Sequence, residues 1–417
     1  MYKKLSSLGT SMVFLNPPLG LILSFFDIRS KSSYFIYIFF GILFGASISF
    51  SDSSADSYRY AKAFASFDNS LDYNAIIRLY RDGELRDIYR LFIFYISSVF
   101  TNNPKIMYGL AGGIYAYLSY KCILIFRNEY FRKIDLNYII LALIFYTYVS
   151  LSNINGFRFW TGALIFFLAN YNIVLYNKKY GYLLLLLTPL FHYGFIMVMP
   201  VMVVYCLLHD FFDNKKKPNK FLWYIFLFTF FISWFLRTNS INLGFISNAD
   251  LVDGAIGQRL NYVNSNEVSA LVDKRRENSV FLSVQKYFDM AIKIFVFIVV
   301  VYIKKNIKLV GLDKRAYFNK LFNFVLFFYS FSFIAISFPS GSRFLNIAHM
   351  FFLVLIVLFY NYIQNQKQFS NLLFFAFFSF SFNIAFINFM LPLLILDTSF
   401  WYGTIMSILI NVSNFII

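Results

Sequence analysis

The chain has 417 residues, of which 59% are hydrophobic, 23% aromatic and only 14% charged, whereas soluble domains carry about 25% charged residues. So apolar a composition leaves too little polar surface to cover a water-soluble core, and it favours helices that satisfy their own backbone groups within lipid. The formal charge of +17, from 37 basic and 20 acidic residues, does not mark a nucleic-acid partner, because the basic residues fill short gaps between apolar runs and form no stripe interleaved with stacking aromatics.

Apolar runs lie near 12–26, 34–50, 88–101, 106–126, 137–153, 158–176, 181–208, 221–236, 287–303, 317–338, 344–362, 370–390 and 391–415. They predict an all-α polytopic integral membrane protein, a single domain over 1–417, with about 12 or 13 membrane segments when short or re-entrant helices are counted. The first run follows Lys3 and Lys4, contains Asn16-Pro17-Pro18 and ends without a small-residue cleavage site. It reads as a retained first membrane helix kinked at its prolines. Residues 51–87 are polar and amphipathic and are assigned to the periplasm, with Tyr58, Tyr60 and Phe64 spaced to lie along a membrane surface. That side requires 88–101, too short to span, to dip into the membrane without crossing.

The run 181–208 is too long for one span and too short for two. Thr188-Pro189 and then His192 stand near its middle. Proline removes a helical hydrogen bond, and irregular backbone at membrane depth persists only where protein or a wet cavity surrounds it. Basic residues place 127–136, 177–180, 209–220, 304–316 and 363–369 in the cytoplasm. The periplasmic side then receives 154–157, the long loop 238–285, 339–343 and 391–399. Cys122 and Cys206 lie in apolar runs without metal-ligand spacing and read as core residues.

Two arginines stand out against this frame. Arg158 in "NGFRFWTG" and Arg343 in "SGSRFLN" both fall at the N-terminus of a helix on the outer face, where the helix dipole already favours anions. Asn155 and Gly156 are expected to let the chain turn, and Phe157, Phe159 and Trp160 to frame the Arg158 guanidinium. The alternative is that both arginines snorkel at the membrane interface. In sequence order, "FSDSSADSYRYAKAF", "INGFRFWTGALIFF", "LFHYGFIM", a long outer loop with "GQRLNY", and "SGSRFLNIAHMFF" together resemble the EpsG and Wzy-type polysaccharide polymerases. Where that family places a glutamine after the arginine, this sequence has Phe159.

The resemblance implies a membrane-embedded, GT-C-like glycosyltransferase of the bacterial inner membrane. Such an enzyme joins oligosaccharide repeat units carried on undecaprenyl diphosphate, which serve as both donor and acceptor, at the periplasmic face. Membrane lipid and a chain-length regulator are its expected partners, and O-antigen, capsule or exopolysaccharide its product. A flippase of the lipid-linked unit and an O-antigen ligase are the alternatives. A departing diphosphate gathers negative charge, and fixed guanidinium groups meet it without a metal; neither metal nor other cofactor is expected. Arg158 and Arg343, then Arg259, are the candidate diphosphate ligands, with Tyr262 beside Arg259 suited to a sugar. His192, Asp56 and Asp52 are the candidate bases for the acceptor hydroxyl. A packed histidine and helix-capping aspartates are their structural alternatives, and His209 and His349 receive no role.

Overall fold

A computed structural model describes residues 2–51, 55–67, 78, 87–208, 218–235, 280–338, 341–363 and 366–413. Asp52, Arg259, Tyr262, His209 and nearly all of the 238–285 loop lie outside the described residues, as does most of 51–87. Within the described residues the apolar runs fold as helices and no strand occurs; one antiparallel bridge joins Ile48 to Leu396.

The first apolar run does not make one kinked membrane helix. It forms α1 (Tyr2–Leu15) and α2 (Pro17–Ser24), parted at Asn16, whose side chain accepts the Leu19 N–H at 2.9 Å. Pro17 sits at the first helical position, where its missing N–H costs nothing. The two helices fold back on each other: a Cβ on Gly20 would lie 2.5 Å from the Val13 Cα, and Gly9 borders Leu23 and Ser24. At 14 and 8 residues, both fall short of the about 20 needed to cross.

Helix α3 (Lys31–Ala46) packs against α6 (Pro104–Asn128) through small residues, Gly41 and Gly45 meeting Gly112 and the Tyr108 carbonyl. Such seams let helix backbones approach where lipid supplies no hydrophobic drive. Between them come α4 (Asp56–Ala65) and α5 (Ile88–Ser98). Helix α7 (Leu136–Val149) runs back along α6, with Phe145 stacked on Phe126 and the Val149 carbonyl accepting from Ser119. A short 3-10 turn (Leu151–Gly156) then leads into α8 (Phe157–Tyr176), which returns alongside α6. The continuous apolar stretch 136–176 therefore goes out and comes back.

Asn177, at φ 50°, makes the tight turn into α9 (Lys179–Phe191), and Gly181 nestles against Ala169 and Ile173 of α8. At His192 the helix breaks, as Pro189 foretells, and after a 3-10 turn (Tyr193–Met197) the chain re-enters as α10 (Met199–Leu207). Tyr205 of α10 packs on Phe324 and Phe327. The 181–208 run is thus a broken pair of short helices with His192 at its tip. Helices α11 (Lys220–Ile232), α12 (Val280–Asn306), α13 (Leu312–Ala335), α14 (Ser342–Tyr362) and α15 (Gln366–Ala385) complete the bundle. The last run is broken into α16 (Leu391–Ile395), α17 (Thr398–Tyr402) and α18 (Ile405–Ser413).

This is a helical membrane protein: the described residues contain five stretches long and apolar enough to cross, the out-and-back stretch 136–176 among them, and six shorter apolar helices. Several expected segments fold instead as short or broken helices tucked against the long ones. The turn 150–157, the break at His192 and the start of α14 share one end of the bundle, here called the arginine end. Glu129, Asn361 and the described basic turns around 127–136, 177–180 and 304–316 occupy the other, the glutamate end.

Candidate functional site

Phe157 opens α8 fully buried, its ring 5.3 Å from Tyr60 and 5.7 Å from both Tyr89 and Tyr108. This aromatic anchor fixes the next residue, Arg158. Gly156 has φ −106°, a backbone any residue adopts, so the 3-10 turn redirects the chain rather than glycine freedom. Asn155 does more than turn: its Oδ1 accepts the Ser57 N–H at 3.0 Å. It thereby caps α4, whose own capping position is Ala55, which has no side-chain oxygen.

Helix α4 does not lie on lipid along its apolar face. Ser57, Tyr60, Ala61 and Phe64 are buried, with Phe64 against Phe94 of α5. Asp56 stands in its first turn, with Oδ1 paired to Arg59 and Oδ2 3.7 Å from where a Cβ on Gly156 would stand. Asp56 therefore pairs within its own helix and also borders the turn before Arg158.

The Arg158 Nε donates to the Tyr60 hydroxyl at 2.8 Å, and the guanidinium lies 4.8 Å from the Tyr60 ring centre. Its Nη1 is ion-paired with Asp87. A guanidinium carries five N–H groups; those beyond these two bonds have no partner among the described residues. Burial raises the Tyr60 phenol above its ordinary pKa, opposed by Arg158 and aided by Asp56 and Asp87, so the phenol stays neutral and accepts from the arginine.

Arg343, one residue into α14, differs sharply. Its guanidinium lies 5.2 Å from the Phe159 ring centre, within electrostatic reach of Asp56, Tyr60 and Arg158. It makes no hydrogen bond and no ion pair among the described residues. His192 meets the same ring edge-on at 5.2 Å. Phe159 is buried and stacks on Phe195, so it forms a shared floor for arginine and histidine. The His192 Nδ1 accepts the Gly194 N–H at 2.9 Å, which puts the proton of the neutral ring on Nε2. Held this way, Nδ1 is engaged by the backbone.

The fold thus gathers Arg158, Arg343, His192 and Asp56 at one end, although they come from four separate motifs. His349 stands apart, buried in α14 and bonded to Tyr329 at 2.7 Å. Two features escape a reading of the sequence. Asp87 precedes α5 with the extended backbone of a capping residue yet makes no capping bond; its carboxylate goes to Arg158 and to the Tyr193 N–H at 2.8 Å. Lys105, buried at the head of α6, is ion-paired with Asp397. The 395–397 segment is also tied to 47–49 by Ser49 N–H to the Ile395 carbonyl at 2.7 Å and Asp397 N–H to the Ser47 carbonyl at 2.9 Å. A charge stranded in a membrane sequence asks for a partner, but its partner's position is not written beside it. No three His, Cys, Asp or Glu residues cluster as metal ligands among the described residues. Compared with known proteins, the chain matches no family model, no curated protein and no solved structure.

Proposed function

We propose that this protein is a membrane-embedded glycosyltransferase that polymerises polyisoprenyl-diphosphate-linked oligosaccharide repeat units at the periplasmic face of a bacterial inner membrane. One observation carries the reading: Arg343 lies over Phe159 beside a second arginine and makes no hydrogen bond or ion pair among the described residues, with Asp56 acting on it only at longer range. Desolvating a cation that makes no hydrogen bond is costly, and the neighbouring Arg158 guanidinium offsets part of the attraction that Asp56 and Tyr60 exert on it. A diphosphate relieves both effects and supplies the planar oxygens that a guanidinium fork binds in pairs.

In this reading Arg343 and Arg158 hold the diphosphate, and their hold strengthens as the sugar–oxygen bond breaks and charge moves onto the leaving group. His192 donates from Nε2 to a substrate oxygen. Asp56 accepts the proton of the attacking sugar hydroxyl, releasing Arg59 as it does so. Orientation follows the basic residues: Lys304, Lys305, Lys308, Lys314 and Arg315 flank one turn at the glutamate end, which the positive-inside rule assigns to the cytoplasm. The resemblance in ordered motifs supplies the substrate class.

Purified protein given lipid-linked repeat units is expected to yield polymer and release polyisoprenyl diphosphate. Product confined to single units, with transbilayer movement of the lipid, would assign the protein to transport instead. An impermeant thiol reagent on intact spheroplasts should label a cysteine placed at 155 but not one at 311, in a background lacking Cys122 and Cys206. The reverse pattern would put the arginines in the cytoplasm and end the periplasmic reading.

A further inference from the structure

Asp87 is the point where two functional elements meet. Its side chain is only 2% exposed, and it spends both carboxylate oxygens on separate parts of the fold: Oδ2 on the Arg158 guanidinium at the head of α8, and Oδ1 on the Tyr193 N–H, 2.8 Å away, just past the α9 break. Burying a carboxylate is expensive unless charge and hydrogen bonds compensate it. Here the compensation comes from an arginine of the candidate site and from the residue after His192. The pairing also has a chemical effect. It neutralises Arg158 and holds its fork in one orientation, with Tyr60 gripping Nε, while Arg343 keeps its charge unpaired.

We infer that Asp87 is a positioning residue that locks the Arg158 fork to the His192 helix break, so that the diphosphate-binding cation and the histidine are presented as one rigid unit. This rests on the diphosphate reading above and adds a division of labour to it. Arg343 supplies charge held in no ion pair among the described residues, and Arg158 supplies geometry, which Asp87 sets. A fork held in advance loses less entropy on binding. The same carboxylate keeps Tyr193, and with it the Gly194 N–H that fixes the His192 tautomer, from drifting as the broken helix flexes.

The test is a double-mutant cycle read by binding of farnesyl diphosphate to the full-length protein in detergent, with inorganic pyrophosphate as a second probe to separate lipid diphosphate from free anion. If Asp87 acts through Arg158, Asp87→Asn weakens binding about tenfold, Arg158→Gln weakens it at least as much, and the double variant is no weaker than Arg158→Gln alone. A residue that merely supports the fold would give losses that multiply, which would overturn the inference. A second reading needs no ligand. The Tyr193 amide should exchange with solvent faster in Asp87→Ala and remain protected in Arg343→Gln, whereas unchanged exchange in Asp87→Ala would also overturn it. If Asp87→Asn does not fold, Asp87→Glu carries the cycle, since it keeps the charge; affinity should then lie between wild type and Arg158→Gln, and full loss would count against the inference. Absence of farnesyl diphosphate binding by the wild-type chain would remove the diphosphate reading itself. Intact wild-type binding with multiplying losses would remove only the role of Asp87.

Discussion

The two polar ends of the bundle bury similar side chains and treat them differently. At the glutamate end, Glu129 accepts from the hydroxyls of Tyr171 and Tyr317, the latter at 2.7 Å, and Asp135 accepts from Tyr360 at 2.8 Å and from the Tyr138 N–H. Arg132 donates to the carbonyls of Asn361 and Ile363, and its Nη1 is buried without a hydrogen-bond partner among the described residues. At the arginine end the charges are met by other charges: the three ion pairs among the described residues, Asp56 with Arg59, Lys105 with Asp397 and Asp87 with Arg158, all lie there. Yet Arg343 is left over. Satisfied polar networks stiffen a fold, whereas a half-buried cation held in no hydrogen bond or ion pair leaves room for an anion. The contrast separates a structural polar cluster from a functional one without recourse to residue type.

Substitutions can break that contrast or sharpen it. The largest effect is expected at the unpaired cation: Arg343→Lys should lower polymer yield per folded molecule by about 100-fold, because an ammonium lacks the fork that fits a diphosphate. Near wild-type yield in a purified assay with lipid-linked repeat units would make Arg343 an interfacial anchor and erase the difference between the ends. Arg158→Lys should cost about tenfold, less than Arg343→Lys, since a lysine can still pair with Asp87 but cannot also reach the Tyr60 hydroxyl from the same planar group.

Tyr60→Phe keeps the ring under the guanidinium and removes only the acceptor for Nε. A hydrogen bond to a charged group contributes about 1.5–3 kcal/mol at most, and with Asp87 still in place a loss of about three- to tenfold is expected. The pH dependence offers a check on sign. The Tyr60 phenol is raised by burial, so it stays neutral from acid through the ordinary tyrosine value of about 10. Whatever stability it contributes is complete below that value and is lost only at higher pH. Below pH 10 the wild type and Tyr60→Phe should therefore show parallel pH–rate curves; a limb present in the wild type alone would mean the phenol titrates during turnover.

The smallest effect on activity is expected at the other end. Glu129→Gln should leave turnover per folded molecule unchanged while lowering stability in detergent by about 1–3 kcal/mol, the cost of disturbing a buried, doubly bonded acceptor. Loss of turnover with stability intact would show that the glutamate end also serves the reaction, and the comparison would fail.

Much of the architecture was legible because lipid makes sequence literal. With no water to satisfy the backbone, each apolar run had to become a helix, and the basic turns among the described residues fell together at one end of the bundle. Pro189 in a run of awkward length marked the break at His192 for the same reason. Which apolar runs stay long helices and which break into short ones was only partly legible, since hydropathy alone does not distinguish a spanning helix from a short one packed on its neighbours. The fold-back of α1 on α2 depends on Gly20 meeting Val13, a contact between helices and not a property of either. The candidate site divides in the same way. Sequence alone singled out Arg158, Arg343, His192 and Asp56, because charge and imidazole are conspicuous in an apolar chain. Only the tertiary structure decided which cation is spoken for. Asp87 carries no mark of a role in the sequence, and its carboxylate became the partner of Arg158 and Tyr193 because α5, α8 and the α9 break converge there. That convergence is fixed by packing across distant segments, which no local pattern encodes.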